Sequence, residues 1–380
     1  MDLRKFEEAL LPYEKKLQVQ EKLRRFLGVK EVDRPTYENY IIGPIERFDH
    51  RKNALMSVTP DIDSQKEFKP RIGQDNFMDR ICLSMGEAAW RPCSKYSPET
   101  LPLALPEHKV GVSDKVWMTR MIKKVALLFG AEMVRITKVD RRWIYQDVEI
   151  PHKYAVVLVV SHARSLNATA PSLLSFVSAG DTYSRLKFIT TMLADFICGL
   201  GYGANYRETL AANPEMLMVP TALDAGIGEF ARNGRVLSPE FGINMRLKAV
   251  TTDMPLEVDK PISFGVHEFC MACENCAAYC PSNAIPFGPP TDDPPTIHNN
   301  PGFRKWYIHA DRCLTTSAKK TNWRSYCGRC ISVCPWNKPL SSFHNMVRWT
   351  AIHCPSVAKK MLAWGDRVVY RRKKAQKENS

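Results

Sequence analysis

The sequence lacks the segments that would place a protein across a membrane. Its longest apolar run, Tyr154 to Val160, has the size of a buried strand, whereas a membrane-spanning helix needs ~20 apolar residues. The N-terminus, Met1 to Phe6, carries neither an apolar signal region nor a twin-arginine export pattern. We therefore expect a cytoplasmic protein. An exported protein is expected instead if a signal was removed ahead of this numbering.

Nucleotide-binding motifs are also missing. Glycines occur at Gly199 to Gly203, at Asp224 to Glu229 and at Arg232 to Gly234. None of these stretches is a G-x-G-x-x-G fingerprint between a strand and a helix, and none is a P-loop. The sequence thus gives little support to a nucleotide site, and each glycine taken alone is best explained as part of a turn.

Acidic residues are too few to balance the basic ones. The chain has 40 Asp and Glu against 54 Lys and Arg, which gives a net charge of +14. Such an excess is compatible with nucleic acid or with an anionic membrane. The basic residues are spread along the chain, however, except for the run from Arg371 to Lys374. We therefore predict a solvated basic surface and no nucleic-acid partner, and leave attraction to acidic lipid, a redox partner or a phosphate-bearing cofactor open.

Cysteine is plentiful, with 12 residues, of which eight lie between Cys270 and Cys334. Residues Cys270 to Pro281 follow the spacing C-x2-C-x2-C-x3-C-P, which is typical of bacterial ferredoxins. The pattern recurs with its first member displaced upstream, at Cys313 and then from Cys327 to Pro335. Eight thiolates in two sets of four are enough for two [4Fe–4S] clusters.

The spacing also predicts which cysteines share a cluster, because the fourth cysteine of each run normally binds the other cluster. Structural zinc would need only paired C-x2-C units, and disulfides suit small secreted chains better than a chain of this size. Both alternatives are therefore less favoured. The predicted ligands are Cys270, Cys273, Cys276 and Cys334 for one cluster, and Cys280, Cys313, Cys327 and Cys330 for the other.

Secondary structure is expected to be mixed. Helical periodicity occurs in residues 1–30, from Val116 to Phe129 after a cap at Ser113-Asp114, and from Tyr183 to Cys198. Strand-like runs occur from Glu132 to Thr137 and from Tyr154 to Val160. This mixture predicts an α/β or α+β fold. The predicted divisions are a wrapping or lid segment (1–109), a catalytic core (110–265), a two-cluster module (266–340) and a helical extension with a basic tail (341–380).

Several motifs outside the cysteine runs resemble the catalytic subunit of respiratory reductive dehalogenases. The similarity runs in order through roughly residues 105–345. The motifs that carry it are Gly111 to Asp114, Lys138 to Trp143, Tyr183 in its helix, Gly199 to Tyr202, Val219 to Glu229, Arg232 to Gly234, Pro239 to Gly242, Asp259 to Gly265, Glu268 to Cys270, Lys305 to Tyr307 and Cys334 to Lys338.

This resemblance implies a nitroreductase-like α/β core that holds a base-off cobalamin, followed by a ferredoxin-like module with two [4Fe–4S] clusters. It implies an oxidoreductase that reductively cleaves a carbon–halogen bond in an organohalide. The expected partners are a small organohalide and a low-potential electron donor. A small membrane-anchor subunit and a homodimer are compatible with the resemblance, as is association with the membrane periphery if the protein is exported.

The resemblance also assigns roles to individual residues. Tyr183 matches the catalytic tyrosine that donates a proton, and Arg246 matches its basic neighbour, with Lys248 as the alternative. Without the resemblance, Tyr183 would be read as core packing. Trp90 and Trp306 are pocket walls or ordinary core aromatics. The residues expected to contact the cobalamin are Asp224, Gly226, Gly228, Arg232, Asn233, Gly234 and Trp306.

Two other functions remain open on the sequence. Epoxyqueuosine reductase shares the corrinoid core and the cysteine pattern, and its tRNA substrate would suit a basic protein. The resemblance to that family would imply an aspartate as the acid, which is at odds with the motif around Tyr183. The third hypothesis is a non-catalytic electron carrier or corrinoid activator. Here the large share of the chain that lies outside the cysteine module argues against a simple carrier.

Overall fold

A four-stranded antiparallel sheet forms the centre of the molecule, with strand order β2-β3-β7-β4. The computed structural model describes residues 7–54, 81–82, 84–86, 88–90, 109–205, 215–321 and 327–369. The strands of this sheet are β2 (Met133–Lys138), β3 (Tyr154–Ser161), β4 (Ala204–Asn205) and β7 (Met245–Thr252). Because the sheet is antiparallel, the α+β alternative of the predicted fold class is confirmed. The two predicted strands are confirmed to within about two residues.

Strand β3 is buried on both faces, which explains why its sequence is a continuous apolar run. Val156, Leu158 and Val160 pack into one core, while Val157 and Val159 pack into a second core on the opposite face. Alternate side chains of a strand point to opposite faces of its sheet. The pairing places Val160 opposite Arg246 of β7, so the register fixes the face on which the Arg246 side chain lies.

Three long helices cover the first face of the sheet: α1 (Leu11–Leu27), α2 (Lys115–Leu128) and α4 (Leu173–Gly199). The predicted cap of α2 is confirmed, since the Asp114 carboxylate accepts hydrogen bonds from the backbone nitrogens of Val116 and Trp117 at 2.8 and 3.0 Å. Helix α4 begins ten residues before the predicted start at Tyr183. The prediction was wrong about this start, and Tyr183 lies in the middle of the helix.

A capping box starts α4. The Ser172 hydroxyl accepts from the Ser175 backbone at 3.2 Å, and the Ser175 hydroxyl accepts from the Ser172 backbone at 3.3 Å. Small polar side chains such as Ser178 and Thr182 are buried in the following turns. They leave no apolar stripe in the sequence, which is why periodicity alone missed this half of the helix.

The second face of the sheet carries shorter elements that lead into the cysteine module. Two two-stranded sheets pair β1 with β8 and β5 with β6. The module consists of short helices, and two helices follow it, of which the last packs on the helix that carries Cys270 and Cys273. The remaining bounds are β1 (Lys30–Glu31), α3 (Arg164–Ala168), α5 (Met218–Asp224), β5 (Glu229–Phe230), β6 (Val236–Leu237), β8 (Ile262–Ser263), α6 (Val266–Cys273), α7 (Asn275–Ala278), α8 (Ala310–Thr321), α9 (Arg329–Ser332), α10 (Ser342–His353) and α11 (Ser356–Val369).

Part of the predicted wrapping segment can be followed. Single-turn 3-10 helices lie at Thr36–Tyr40 and His50–Lys52, and β1 pairs with β8. The chain thereby runs from α1 across the second face of the sheet. Residues 55–80 and 91–108 of this segment lie outside the described residues. The four predicted domain boundaries stay a prediction. None of the described helices is both long and apolar enough to cross a membrane.

Candidate functional site

Two neighbouring cavities adjoin the segment from Leu217 to Pro220, at the start of α5. The larger, which we call the aromatic cavity, has a volume of about 390 Å³ and is lined by residues such as Tyr40, His267 and Trp306. The smaller, which we call the tyrosine cavity, has a volume of about 250 Å³ and contains Tyr183 and Arg246 in its wall. The two cavities share one wall, formed by Leu217, Val219 and Pro220.

Tyr183 and Arg246 come from different elements and meet in the tyrosine cavity. Tyr183 is buried in the middle of α4, and Arg246 reaches it from β7. The guanidinium carbon of Arg246 lies 4.7 Å from the centre of the Tyr183 ring, which is the geometry of a cation–π contact. Lys248, the alternative partner, lines the same cavity two residues further along the strand. Among these two cations, the structure puts Arg246 over the ring.

Trp90 also packs against this tyrosine. Its ring centre lies 5.2 Å from that of Tyr183 and 5.4 Å from that of Phe176, and its indole nitrogen donates to the Phe176 carbonyl at 3.2 Å. Gly180 makes room for the indole, because a Cβ on this residue would lie 2.5 Å from the Trp90 ring. Trp90 is therefore an aromatic contact of Tyr183.

His162 is a buried group near this pair that the sequence did not indicate. Its Nδ1 atom lies 3.3 Å from the Ser178 carbonyl and 3.3 Å from the Thr182 hydroxyl. Burial, with a smaller contribution from the charge of Arg246, lowers the pKa of His162 to about 3. The imidazole is thus neutral at physiological pH and adds no positive charge beside Arg246.

A stack of rings forms one wall of the aromatic cavity. His267 lies between Tyr40 and Trp306, with ring-centre distances of 4.8 and 4.9 Å. Lys305 lies in the same cavity, where burial lowers its pKa to about 8 and its ammonium donates to the Asn300 carbonyl at 3.2 Å. The cavity therefore offers flat apolar surfaces and one buried cation, which is a wall suited to a large planar ligand with an anionic group.

The residues predicted to hold the cobalamin fall into three places. Only Gly234 and Trp306 line the aromatic cavity. Asp224 is buried behind its wall, where it accepts from the Tyr37 hydroxyl at 2.5 Å and from the Trp143 indole at 2.8 Å. Burial raises the pKa of Asp224 to about 6. This carboxylate therefore orients two aromatic side chains of the wall.

Gly226 and Gly228 serve close packing of the backbone. A Cβ on Gly226 would lie 2.1 Å from the Lys260 carbonyl oxygen, and a Cβ on Gly228 would lie 2.0 Å from the Leu237 carbonyl oxygen. Gly226 also has a φ of 71°, in the left-handed region that favours glycine. The chain contacts alone account for glycine at these two positions.

Arg232 and Asn233 face the cysteine module. The Arg232 guanidinium donates to the carbonyls of Cys270, Pro286 and Gly288 at 3.1, 2.8 and 2.9 Å. It also lies 4.6 Å from the centre of the Trp306 ring. Arg232 thus joins the cysteine module to the wall of the aromatic cavity, so these two regions are held in a fixed relation.

The first predicted cysteine set surrounds a small cavity. Cys270, Cys273, Cys276 and Cys334 all line a space of about 30 Å³, together with Arg232 and Asn233. Burial raises the pKa of the Cys270 thiol to about 11 and that of Cys273 to about 12. A thiol must lose its proton to bind iron, so these buried groups would become thiolates only when the metal is present.

The second predicted set is also brought together. Cys313 interacts electrostatically with Cys330, Cys280 and Cys327. Burial raises the pKa of Cys313 to about 12 and that of Cys327 to about 11. Cys276 of the first set is close enough to interact with Cys330 of the second. Within the described ranges, no group of three or more His, Cys, Asp or Glu side chains is arranged to hold a single metal ion.

Most of the aromatic cavity was missed from the sequence. Tyr37 and Tyr40 reach it from a region that carries no motif for a binding site, and His267 lies three residues before the cysteine run. Trp143 and Lys305 are exceptions, because they belong to the motifs from Lys138 to Trp143 and from Lys305 to Tyr307. For the others, only their aromatic character was a signal, and scattered aromatic residues are usually core.

Comparisons with known proteins agree with this architecture. Residues 269–338 match the model of the 4Fe-4S dicluster domain family. The chain is 30% identical over 307 residues to a tetrachloroethene reductive dehalogenase of Sulfurospirillum multivorans, in an alignment that covers 71% of this chain and 60% of the relative. An epoxyqueuosine reductase of Atelocyanobacterium thalassa is 31% identical over 136 residues, which cover 32% of this chain and 38% of that protein.

Solved structures extend the likeness to the whole fold. The catabolic reductive dehalogenase NpRdhA superposes with a TM-score of 0.72 at 23% identity, over 90% of this chain and 49% of that one. A reductive dehalogenase described in connection with B12-dependent dehalogenation gives a TM-score of 0.72 at 24% identity, over 93% of this chain and 51% of that one. The chain spans only 60% of the tetrachloroethene reductive dehalogenase and about half of these two structures. In sequence, in fold and in its dicluster domain, the chain is a relative of the reductive dehalogenases, as its motifs predict.

Proposed function

We propose that this protein is a cobalamin-dependent reductive dehalogenase. The reaction consumes two electrons and one proton, breaks a carbon–halogen bond, and releases the hydrocarbon with a new carbon–hydrogen bond together with a halide ion. The observation that carries the proposal is the contact between Arg246 and Tyr183 at 4.7 Å in a cavity that adjoins a larger aromatic one. The first cysteine set is linked to the larger cavity through Arg232, which contacts both the Cys270 carbonyl and the Trp306 ring.

The aromatic cavity fits the corrinoid that the proposal requires. It is roomy and largely apolar, and the indole of Trp306 presents a flat surface. Lys305 supplies a buried cation for an anionic group of the ligand. Bound cobalamin would supply the strongly reducing metal centre, while the protein's part is to position and shield it. Trp306, Lys305, His267 and Gly234 are the side chains and backbone that we assign to holding it.

Tyr183 is the proposed proton donor. Its hydroxyl is the group that can give a proton to carbon as the halide leaves, and this leaves a phenolate in a buried site. Isolated buried charge is unfavourable, whereas a neighbouring opposite charge stabilises it. Arg246 supplies that charge at 4.7 Å from the ring. Since His162 is neutral, it does not compete with the guanidinium for the phenolate.

Electrons are proposed to arrive through the two clusters from a low-potential donor. The sets are close enough for Cys276 to interact with Cys330. The first set shares Arg232 with the wall of the aromatic cavity. This arrangement supports a route from the second cluster through the first to the larger cavity. A small membrane-anchor subunit and a homodimer are further proposals that rest on the family resemblance of the sequence alone.

The test of the proton donor is Tyr183→Phe in anaerobically reconstituted protein. The change removes one hydroxyl and keeps the ring, so the contacts with Trp90 and Arg246 should persist. Loss of a general acid costs on the order of a hundred- to ten-thousandfold in rate. Initial rates with reduced viologen and a panel of organohalides, normalised to bound cobalt, are the measurement.

Tyr154→Phe is the matched control, because this hydroxyl lies on β3 outside the tyrosine cavity. It should retain wild-type rates. Arg246→Leu should lower the rate in the same direction as Tyr183→Phe, and the double variant should be little worse than either single one. Retention of more than about half of the activity by Tyr183→Phe would show that the proton comes from another group. Reduction of tRNA-bound epoxide without dehalogenation would instead favour the epoxyqueuosine reductase function.

A further inference from the structure

Helices α10 and α11 present an unusually apolar outer surface. Phe343 and Met346 on α10 are 70% and 64% exposed, and Met361 and Trp364 on α11 are 67% and 65% exposed. Large apolar side chains at this exposure are common singly on soluble proteins. Here they are concentrated on two helices that pack against each other. Contiguous exposed apolar patches of this kind mark interaction sites.

The exposed residues form stripes because of their helical spacing. On α11, Val357, Met361, Trp364 and Val368 are separated by four, three and four residues and are all exposed. Such positions lie above one another on one side of a helix. Phe343, Met361 and Val369 also border one groove of about 250 Å³ between the two helices. The stripes of α10 and α11 therefore belong to a single surface, which we call the C-terminal apolar face.

Charge on this part of the chain is almost wholly positive. Between residues 338 and 377 there are ten Lys and Arg and only one acidic residue, Asp366. The Asp366 carboxylate pairs with the Lys338 ammonium at 3.2 Å, and Arg348 and Lys359 are buried, so these four charges contribute little to the surface. Lys360 is exposed beside Met361, and the basic run from Arg371 to Lys374 follows α11 in the sequence.

We propose that the C-terminal apolar face docks on the surface of an anionic lipid bilayer. A helix with an apolar stripe and basic surroundings lies in the plane of the interface, with its apolar side chains inserted among the acyl chains. Tryptophan is favoured at that depth because its ring is amphipathic, and Trp364 is exposed on this face. Lys and Arg nearby are attracted to anionic headgroups. A groove for one partner helix would require apolar walls but would not require the exposed Lys360 or the basic run that follows α11 in the sequence.

Docking here would hold the enzyme in a defined orientation. Helix α11 packs on α6, which carries Cys270 and Cys273. The Arg367 guanidinium of α11 donates to the Cys273 carbonyl at 2.7 Å. The bilayer would therefore lie on the side of the first cysteine set. None of the exposed apolar residues of this face lines the aromatic or the tyrosine cavity, so the proposal does not depend on the proposed function.

Vesicle sedimentation tests the proposal on the full chain, reconstituted anaerobically with iron and sulfide. Vesicles of phosphatidylcholine with about 30 mol% phosphatidylglycerol should bind the protein, and pure phosphatidylcholine vesicles should bind it at least about tenfold more weakly. The variant Met361→Glu/Trp364→Glu should lower binding to the anionic vesicles by about tenfold or more, because it places charge in the apolar stripe. Raised salt should weaken wild-type binding.

The control variant is Ile297→Glu, which changes an isoleucine that is 70% exposed outside this face. It should bind anionic vesicles as the wild type does. Val357→Glu, on the same stripe, provides a milder second disruption in case the double variant folds poorly, with iron content as the check on folding. Equal binding of the wild type to neutral and anionic vesicles, or unchanged binding of both stripe variants, would overturn the proposal. So would a wild-type dimer that Met361→Glu/Trp364→Glu dissociates, with no vesicle binding, because the occupant would then be a second copy of this chain.

Discussion

At the scale of single residues, Arg24 joins helix α1 to the protein core at Gly226 and Glu240. This side chain of α1 is buried, and its Nε lies 2.5 Å from the Glu240 carboxylate. Another nitrogen donates to the Gly226 carbonyl at 2.9 Å. Arg24→Met should destabilise the protein by about 3–5 kcal/mol, because it leaves the buried Glu240 charge without its partner. Urea unfolding followed by tryptophan fluorescence measures this change.

Arg25→Met is the matched control, since Arg25 is the exposed neighbour on the same helix. Its free energy of unfolding should change by less than about 0.5 kcal/mol. Arg24→Met/Glu240→Gln should recover part of the loss, because the uncompensated charge is then removed as well. If Arg24→Met were no worse than Arg25→Met, the ion pair would have no role in holding α1 to the core.

A second residue-scale prediction concerns pH. Burial raises the pKa of Asp224 from 3.8 to about 6 in the folded protein. Between these two values the folded state binds more protons at this carboxyl than the unfolded state does. Stability therefore falls as pH rises through this window, and the contribution levels off above the folded pKa. From about pH 5 to about pH 7 this single group should lower the free energy of unfolding by about 1 kcal/mol.

Asp224→Asn isolates that contribution. Asparagine cannot ionise, and it keeps an oxygen that accepts from Tyr37 or Trp143, so its cost should be independent of pH. From about pH 5 to about pH 7, the free energy of unfolding of the wild type should therefore fall by about 1 kcal/mol relative to that of the variant. A constant difference would mean that Asp224 keeps an ordinary pKa.

At the scale of elements, helix α4 is shaped to receive Trp90. A Cβ on Gly180 would lie 2.5 Å from the indole, whereas a Cβ on Gly199 of the same helix would meet nothing within 4 Å. Gly180→Ala should favour the helix by roughly 1 kcal/mol, and Gly199→Ala, at the last residue of α4, should favour it by less. Only Gly180→Ala should displace Trp90 from Tyr183. We expect Gly180→Ala to lower dehalogenation by about tenfold or more, since misplacing groups at a site is costly.

Gly199→Ala should keep wild-type activity and gain stability. The two variants therefore separate a gain in helix propensity from a disturbance of the site. Tryptophan fluorescence should change in Gly180→Ala and stay as in the wild type in Gly199→Ala. Equal activity in both variants would mean that the packing of Trp90 on α4 does not matter for the reaction.

The same helix shows how far elements could be predicted. Where one face is apolar, as in α2, or where a run is apolar on both faces, as in β3, the sequence predicts the element to within about two residues. The sequence did not predict the first half of α4, because buried serines and threonines replace apolar residues there. The local sequence pattern also could not predict whether the strands are parallel or antiparallel, since the pairing in β2-β3-β7-β4 depends on contacts between distant segments.

At the scale of the whole molecule, the cysteine sets predict the metal content. Anaerobic protein should contain about eight irons and about eight acid-labile sulfides. Cys334→Ser should lower the iron content towards about four by loss of the first cluster, and Cys313→Ser should do so by loss of the second. Iron analysis with electron paramagnetic resonance of the reduced protein measures both. Stoichiometric zinc, or an unchanged iron content in both variants, would contradict the ligand sets.

The candidate site was predictable only where residues are near one another in the sequence or where a family motif marks them. The cysteine runs and Tyr183 were found in this way. Tyr37, Tyr40 and His267 of the aromatic cavity were not, because they lie outside the motifs and are brought together by folding alone. Conversely, Gly226 and Gly228 lie in a motif but contact neighbouring backbone, which accounts for them without any ligand.

The position of Cys334 in the first cysteine cavity has a consequence for biosynthesis. Three of the thiols that line this cavity come from residues 270–276, whereas the fourth comes from the far end of the module. A ribosome makes the chain from the N-terminus, so the cavity stays open on one side until Cys334 has left the exit tunnel. Insertion of the first cluster would then have to wait for synthesis of nearly the whole module. Scaffold proteins that deliver iron and sulfur would meet the chain late, when the core that follows α1 has already been translated.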